Sequence, residues 1–316
     1  MKLDLFDQKD ISPMLLSESE PFDHKDYIFE LKLDGIRALA YLDKKETIIK
    51  NKRNKDITNI YPELKSIHKQ VNKRCILDGE IIVMKNGRPD FFALQSRSIL
   101  SDSLKISLAS KLNTASFVAY DILYYDKEDI TDWPLLKRKE VLKEIITENE
   151  FLSYSRFIEE KGREFYELAR DNHLEGIVAK EKNSKYYIGK RAKVWIKMKV
   201  MQEEDLIICG YIKKDGTIKD LILGIYDKDY NLHFRGTIYL GVSTIDKNKI
   251  IDTAIKHPSP PLFALNNKEG EIIWMKPLLV GVVKYMMKTK SGGMRQPIFK
   301  GLRDDKIATD CIDPKI

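Results

Sequence analysis

Between about residues 27 and 200, short strand-like apolar runs alternate with helically spaced ones. ILDGEIIVM (76–84) and SFVAYDILYY (116–125) are rich in β-branched and aromatic residues and read as strands. LLKRKEVLKEIITE (135–148) instead places Leu135, Leu136, Val141, Leu142, Ile145 and Ile146 at helical spacing, and KGREFYELARDN (161–172) predicts a second helix. This is the pattern of an α+β domain. After Lys199 the texture changes. DLIICGYIKKDG (205–216), DLILGIYDKDYNLHFRG (220–236) and IIWMKPLLVGVVKYMM (272–287) are β-rich runs parted by DG, DKDYN and NKEG turns, the signature of a small all-β barrel. DKNKIIDTAIK is the one helix expected there, and KVMQEED (199–205) the linker. The expected organisation is an α+β domain over residues 1–201 followed by an all-β domain over 202–316.

One run breaks the apolar texture. ELKLDGIRALAYL (30–42) carries Glu30, Lys32 and Asp34 at alternate positions. With a period of two, Phe29, Leu31 and Leu33 share one strand face and the three charges the other. Asp34-Gly35 then reads as a tight hairpin turn, and Asp78-Gly79 in LDGEIIVM as a second one, followed at once by Glu80 on a strongly apolar strand. A charge opening such a strand is costly to bury without a partner.

At 316 residues the chain exceeds the usual size of a single core, and 43% hydrophobic content suffices for two. With 33% charged residues and a mean hydropathy of −0.37, it has no apolar stretch of membrane-spanning length, and no secretory leader is expected at the N-terminus. Cys75, Cys209 and Cys311 are odd in number and widely spaced, which excludes a disulfide framework and a CxxC zinc site. A cytoplasmic, nucleoid-associated monomer is expected. The net charge of +7 favours polyanionic partners.

Further along come EGIVAK (175–180), with Glu175 and Lys180, and VWIKMK (194–199), with Lys197 and Lys199 on one strand face beside Trp195. In order, K-x-D-G-x-R, D-G-E, Y-D, E-G-I-V-A-K and W-x-K-x-K resemble the nucleotidyltransferase motifs of ATP-dependent DNA ligases and their relatives, the RNA ligases and mRNA-capping enzymes. MRQPIFKGLRDDK (294–306) is similar to the terminal R-x-P-x-F-x-G-x-R motif of the DNA ligases. The resemblance runs from about residue 27 to 306, and is closest to the ligase module of bacterial end-joining ligases.

That resemblance implies an adenylation domain followed by an OB-fold, and a DNA ligase that uses ATP with Mg²⁺ or Mn²⁺ to seal nicks in double-stranded DNA, in repair, recombination, replication or end joining, with a DNA end-binding protein as a further partner. It implies that Lys32 is the nucleophile forming a lysyl-AMP. Nucleotide contacts are implied for Glu30, Arg37, Glu80, Tyr120, Lys180, Lys197, Lys199, Arg303 and Lys306. Within these, Arg37 and Glu80 face the ribose, Tyr120 stacks on adenine, Lys197 and Lys199 neutralise the α-phosphate, and Arg303 with Lys306 reaches the outer phosphates. Glu80 and Glu175 are the implied metal ligands. Arg53 is implied to meet the 5′-phosphate of the nick, although Lys52 and Lys55 replace the hydroxyl residue and glycine that usually flank it. Gly281 stands where the family often carries Glu. Lys284, Lys288 and Lys290 are candidate contacts to the DNA backbone. The rival readings are an RNA ligase, a capping-type guanylyltransferase, and a non-catalytic protein that binds nicked DNA.

Overall fold

A computed structural model of the chain describes residues 4–257, 262–263, 265, 270–289 and 292–316. The chain divides into two compact units, Met1–Val200 and Met201–Ile316. Strand Arg191–Lys199 runs almost directly into strand Gln202–Lys214, so the expected linker shrinks to two residues, 200 and 201, and most of KVMQEED is strand.

The apolar runs of the first unit form two sheets because most of them are buried on both faces. In the five-stranded sheet the order is Leu15–Glu18, Arg191–Lys199, Gly176–Glu181, His24–Leu31, Phe157–Glu160. The seven-stranded sheet runs Thr47–Asn51, Ile36–Leu42, Cys75–Lys85, Ala115–Tyr125, Glu128–Asp129, with Arg88–Pro89 and Leu152–Tyr154 attached to its central strands. Alternation within IRALAYL shows how one strand serves two cores. Leu39 and Tyr41 join Ile28, Ile76, Leu123 and Trp195 between the sheets, while Ala38, Ala40 and Leu42 pack outward with Leu77, Phe117 and Leu142. Helices Leu135–Ile145 and Gly162–Asp171 form where the spacing predicts them. The sequence reading missed three more, Leu5–Gln8, Phe91–Ser98 and Ser103–Leu112, each capped by an aspartate side chain, Asp4, Asp90 and Asp102.

Both Asp-Gly steps depart from expectation. Asp34-Gly35 turns no hairpin: strand His24–Leu31 ends before Lys32, and the next strand, Ile36–Leu42, belongs to the other sheet. Residues 32–35 are therefore a crossover between sheets. Asp78-Gly79 lies in the middle of strand Cys75–Lys85. Neither glycine has a positive φ. Each is required by close approach instead. A Cβ on Gly35 would sit 2.3 Å from the Ile81 carbonyl oxygen and 2.6 Å from Glu80 Cγ, and one on Gly79 would sit 2.4 Å from the Phe117 ring.

In the second unit a five-stranded antiparallel sheet runs Leu232–Ile238, Thr217–Tyr226, Gln202–Lys214, Glu271–Tyr285, Ile298–Arg303. Its core holds Leu206, Ile208, Leu221, Leu223, Val283 and Phe299. Helix Thr244–Thr253 opens on a capping box between Ser243 and Asp246. A Cβ on Gly281 would meet the Phe299 ring at 2.4 Å, so packing excludes a glutamate at that position here.

Candidate active site

Strand alternation gathers the charged residues of the motifs into the space between the two sheets of the first unit. Arg37 shares the inward parity of Leu39 and Tyr41, Asp78 and Glu80 that of Ile76, Glu30 that of Ile28, and Lys197 and Lys199 that of Trp195. The face of strand His24–Leu31 carrying Glu30 is thus interior, and Phe29 enters a separate core with Ala169, Ile177 and Met198.

Lys32 stands where the crossover begins. Its amide donates to the Gly176 carbonyl at 2.9 Å, and its ammonium lies 2.8 Å from Glu175 Oε1, with about a fifth of the side chain exposed. Glu175 directly precedes the neighbouring strand Gly176–Glu181, whose Gly176 has a φ of 137° and would drive a Cβ to 2.1 Å from the Met198 carbonyl oxygen. That glycine lets the strand pack closely enough to set Glu175 against Lys32. The expectation that Glu30 and Asp34 flank the lysine is corrected accordingly: the carboxylate on Lys32 is Glu175, and Glu30 is engaged elsewhere.

Around this pair the charges are coupled. Lys197 pairs with Glu18 at 3.0 Å, and Lys199 is held below the usual lysine range by burial and by Lys197, with Lys32 adding repulsion. Burial pushes the Glu80 carboxyl up to about 8, a rise reinforced by Glu175 and Asp78 and opposed by Lys32 and Arg37. Glu80 therefore carries a proton near neutrality that a bound cation would displace. A Cβ at position 35 would strike both the Glu80 side chain and a strand carbonyl, so Gly35→Ala is expected to displace Glu80 and destabilise the unit by about 1–3 kcal/mol. Thermal denaturation with a labelled-ATP adduct assay checks this; wild-type values in both would show that the crossover can move aside.

Arg37 is clamped. Its Nε and Nη2 donate to Asp78 Oδ1 and Oδ2 at 3.1 and 2.7 Å, and its Nη1 to the Met14 carbonyl at 2.6 Å. Asp78 is fully buried and also accepts from the Tyr186 hydroxyl at 2.7 Å, while Tyr186 in turn accepts from the Met14 amide at 2.9 Å. The guanidinium lies 5.6 Å from the Tyr120 ring centre and 6.0 Å from that of Trp195. Tyr120 is half-buried beside the cleft, and Phe117 is the core aromatic of the same strand. Lys180 is almost wholly buried, 3.0 Å from Glu30 Oε2 and 4.5 and 4.1 Å from the Tyr120 and Trp195 rings. Glu30 is also paired with Lys139.

Arg53 lies apart from this cluster, exposed on the turn after strand Thr47–Asn51. The Asn51 side chain accepts from the Arg53 and Lys55 amides at 3.0 and 3.1 Å, and the left-handed residue is Asn54, with a φ of 61°. Lys55 has no positive φ, so no glycine is needed at position 55. In the second unit, Arg303 donates to Asp305 at 2.7 and 2.6 Å and to Asp205 at 3.3 Å, and Lys306 pairs with Asp205. Lys288 is held by Glu204 and Asp313 at 3.0 and 2.8 Å, which ties it to its own unit, and Lys284 by Glu203 at 3.6 Å; Lys290 falls outside the described residues.

Sequence reading missed Asp78, Asp121, Arg138, Lys139 and Tyr186. Asp78 and Asp121 carried a signal, since each is a carboxylate inside an apolar strand and so requires a buried partner. Arg138 and Lys139 carried none, because LLKRKEVL has the look of a solvated helix face.

Among the described residues no cluster of three or more His, Cys, Asp or Glu side chains could hold a metal. Glu80 and Glu175, two hard oxygen donors around one ammonium, suit a cation that takes its remaining ligands from phosphate and water, as Mg²⁺ does. No described helix is long and apolar enough to cross a membrane.

Comparison with known proteins gives a consistent result. Residues 13–199 match the family described as ATP dependent DNA ligase domain, and residues 214–306 the one described as ATP dependent DNA ligase C terminal region. The chain is 30% identical over 295 residues to the SPbeta prophage-derived DNA ligase-like protein LigB of Bacillus subtilis, covering 93% of this chain and 99% of that one. It is 29% identical over 313 residues to the multifunctional non-homologous end joining protein LigD of Pseudomonas aeruginosa, covering 95% of this chain but 36% of that much longer protein. A solved structure of mycobacterial DNA ligase D complexed with ATP and MES aligns with a TM-score of 0.56 at 25% identity, over 96% of this chain and 98% of that one.

Proposed function

Because the chain belongs to the ATP-dependent DNA ligase family, with an adenylation domain and a C-terminal OB-fold domain, we propose that Lys32 is the nucleophile that takes AMP from ATP before AMP passes to the 5′-phosphate of nicked duplex DNA. The observation that carries this is the Lys32–Glu175 pair at 2.8 Å, set in the inter-sheet cleft among Glu80, Lys197 and Lys199.

Lys32 must first lose a proton, and Glu175 is placed to take it. The Nζ–P bond then forms as the bond from the α-phosphorus to the pyrophosphate oxygen breaks, and pyrophosphate leaves. Lys197 and Lys199 are the cations assigned to the charge that develops on the α-phosphate oxygens, a stabilisation of typically about 3 kcal/mol per well-placed donor. Tyr120 offers a ring face to adenine, and Arg37, locked by Asp78, holds the edge of that aromatic site. Glu80 and Glu175 would hold the divalent cation, which supplies charge neutralisation at the phosphates when bound. In the second unit Arg303 and Lys306 are the cations assigned to the outer phosphates, and Arg53 to the 5′-phosphate of the nick. Work in DNA repair or end joining is supported by likeness to relatives that bear those names, and an end-binding protein is the partner proposed for it.

Incubation with α-labelled ATP and Mg²⁺ or Mn²⁺, followed by denaturing electrophoresis, should show a covalent adduct that is chased onto nicked duplex DNA with joining. An adduct with GTP in place of ATP, or joining confined to RNA, would replace the reading with one of its rivals. Affinity for nicked duplex should also fall steeply with salt, in keeping with the +7 charge, with a log–log slope of about −0.9 per phosphate neutralised. A flat salt dependence would remove the electrostatic account of DNA binding.

A further inference from the structure

Beneath Tyr120 lies a closed set of five ionisable side chains. Glu30, Asp121, Arg138, Lys139 and Lys180 are all buried, and they come from four elements: strands His24–Leu31, Ala115–Tyr125 and Gly176–Glu181, and helix Leu135–Ile145. Arg138 forks onto Asp121 at 2.9 and 2.7 Å and donates to the Ser184 and Trp133 carbonyls, so that pair is complete in itself. Glu30 has a different arrangement: Lys180 donates to Oε2 at 3.0 Å, while Lys139 faces Oε1 as an ion pair without hydrogen-bond geometry. A buried carboxylate held at one oxygen can swing about its last torsion. A cation close to the second oxygen opposes that swing by charge attraction. Lys180 in turn reaches the Tyr120 carbonyl oxygen at 3.5 Å and rests on the Tyr120 and Trp195 rings.

We propose that Lys139 is a positioning residue for adenylation: by locking Glu30 it fixes Lys180 against the Tyr120 ring, and so orients the surface that receives the adenine base. The inference rests on the reading of the first unit as the adenylating one. Two carboxylates against three cations leave one surplus positive charge in the set, and a buried cation left unpaired is costly, so each of the three needs a carboxylate or carbonyl within reach. Lys139 is buried, with its ammonium 5.9 Å from the Phe157 ring centre, and a methionine of similar length keeps the apolar stem without the charge.

Burial holds Lys180 down to about 8. Glu30 and Asp121 act to raise it, Lys139 to lower it, and Tyr120, which also meets Arg37, and Trp195 enclose it. Removing Lys139 relieves repulsion and raises the Lys180 pKa; removing the Glu30 charge lowers it. If protonated Lys180 is what orders Tyr120, the alkaline limb of kcat/KM for ATP in lysyl-AMP formation should follow in those two directions. Lys139→Met should move the limb to higher pH and raise KM for ATP about tenfold at neutral pH. Glu30→Gln should move it to lower pH, and Lys139→Arg, which keeps a cation on Glu30, should return KM close to wild type. Simple destabilisation cannot produce limb shifts of opposite sign. An unmoved limb and unchanged KM in Lys139→Met overturns the proposal. If that variant does not fold, a limb for Glu30→Gln that stays put or moves upward does so. Absence of lysyl-AMP in the wild-type protein would instead sink the adenylation reading itself.

Discussion

Lys32→Ala should abolish the covalent AMP adduct and all joining that starts from ATP. The lysine is held by Glu175 in a crossover whose path is set by the close approach of Gly35 to strand Cys75–Lys85. Losing the nucleophile of a covalent mechanism costs on the order of 10⁴-fold or more in rate. The same variant should still seal a nick that already carries AMP, since that step needs the nucleotide site but not the attacking nitrogen. Both assays are run on one preparation with a thermal melt to show that it is folded. A wild-type level of adduct would mean that another residue is the nucleophile. Loss of both activities in a folded protein would mean that Lys32 also serves the later step, and the division of labour assigned to it would be wrong.

The second large effect is on stability. Arg138→Met should lower the stability of the first unit by about 3–5 kcal/mol, since it leaves the fully buried Asp121 carboxylate without its forked partner and strips two backbone carbonyls of theirs. For a unit of this size that is on the order of 10 °C in the melting transition. Lys249→Ala is the contrast, because its pair with Asp304 is exposed and should be worth under about 1 kcal/mol. A small effect of Arg138→Met would show that Asp121 finds another donor or takes up a proton without strain.

The strands that pattern made legible are the ones with long apolar runs, such as Cys75–Lys85 and Ala115–Tyr125, because burial on both faces leaves little else such runs can be. Helix Ser103–Leu112 escaped detection for a related reason. Its Leu104, Leu108 and Leu112 lie at helical spacing but are exposed, and serines interrupt the pattern on both sides. The Asp-Gly steps misled because a strong local turn signal was overridden by packing. Gly79 is where the Phe117 ring presses on a strand, and Gly35 is where a crossover passes under Glu80.

By itself the sequence determined the chemical inventory and its order: a lysine ahead of Asp-Gly, acids at 80 and 175, paired lysines at 197 and 199, and the two-part organisation of the chain. Those are properties of residue type and spacing. What only the tertiary structure decided is which charge meets which. Lys32 meets Glu175 rather than its sequence neighbours, Arg37 meets Asp78 at a separation of 41 residues, and Glu30 meets Lys180 across 150. A charge leaving water takes the partner that the fold brings within reach in the interior, and that choice depends on sheet order and strand parity, which no local stretch of this chain encodes.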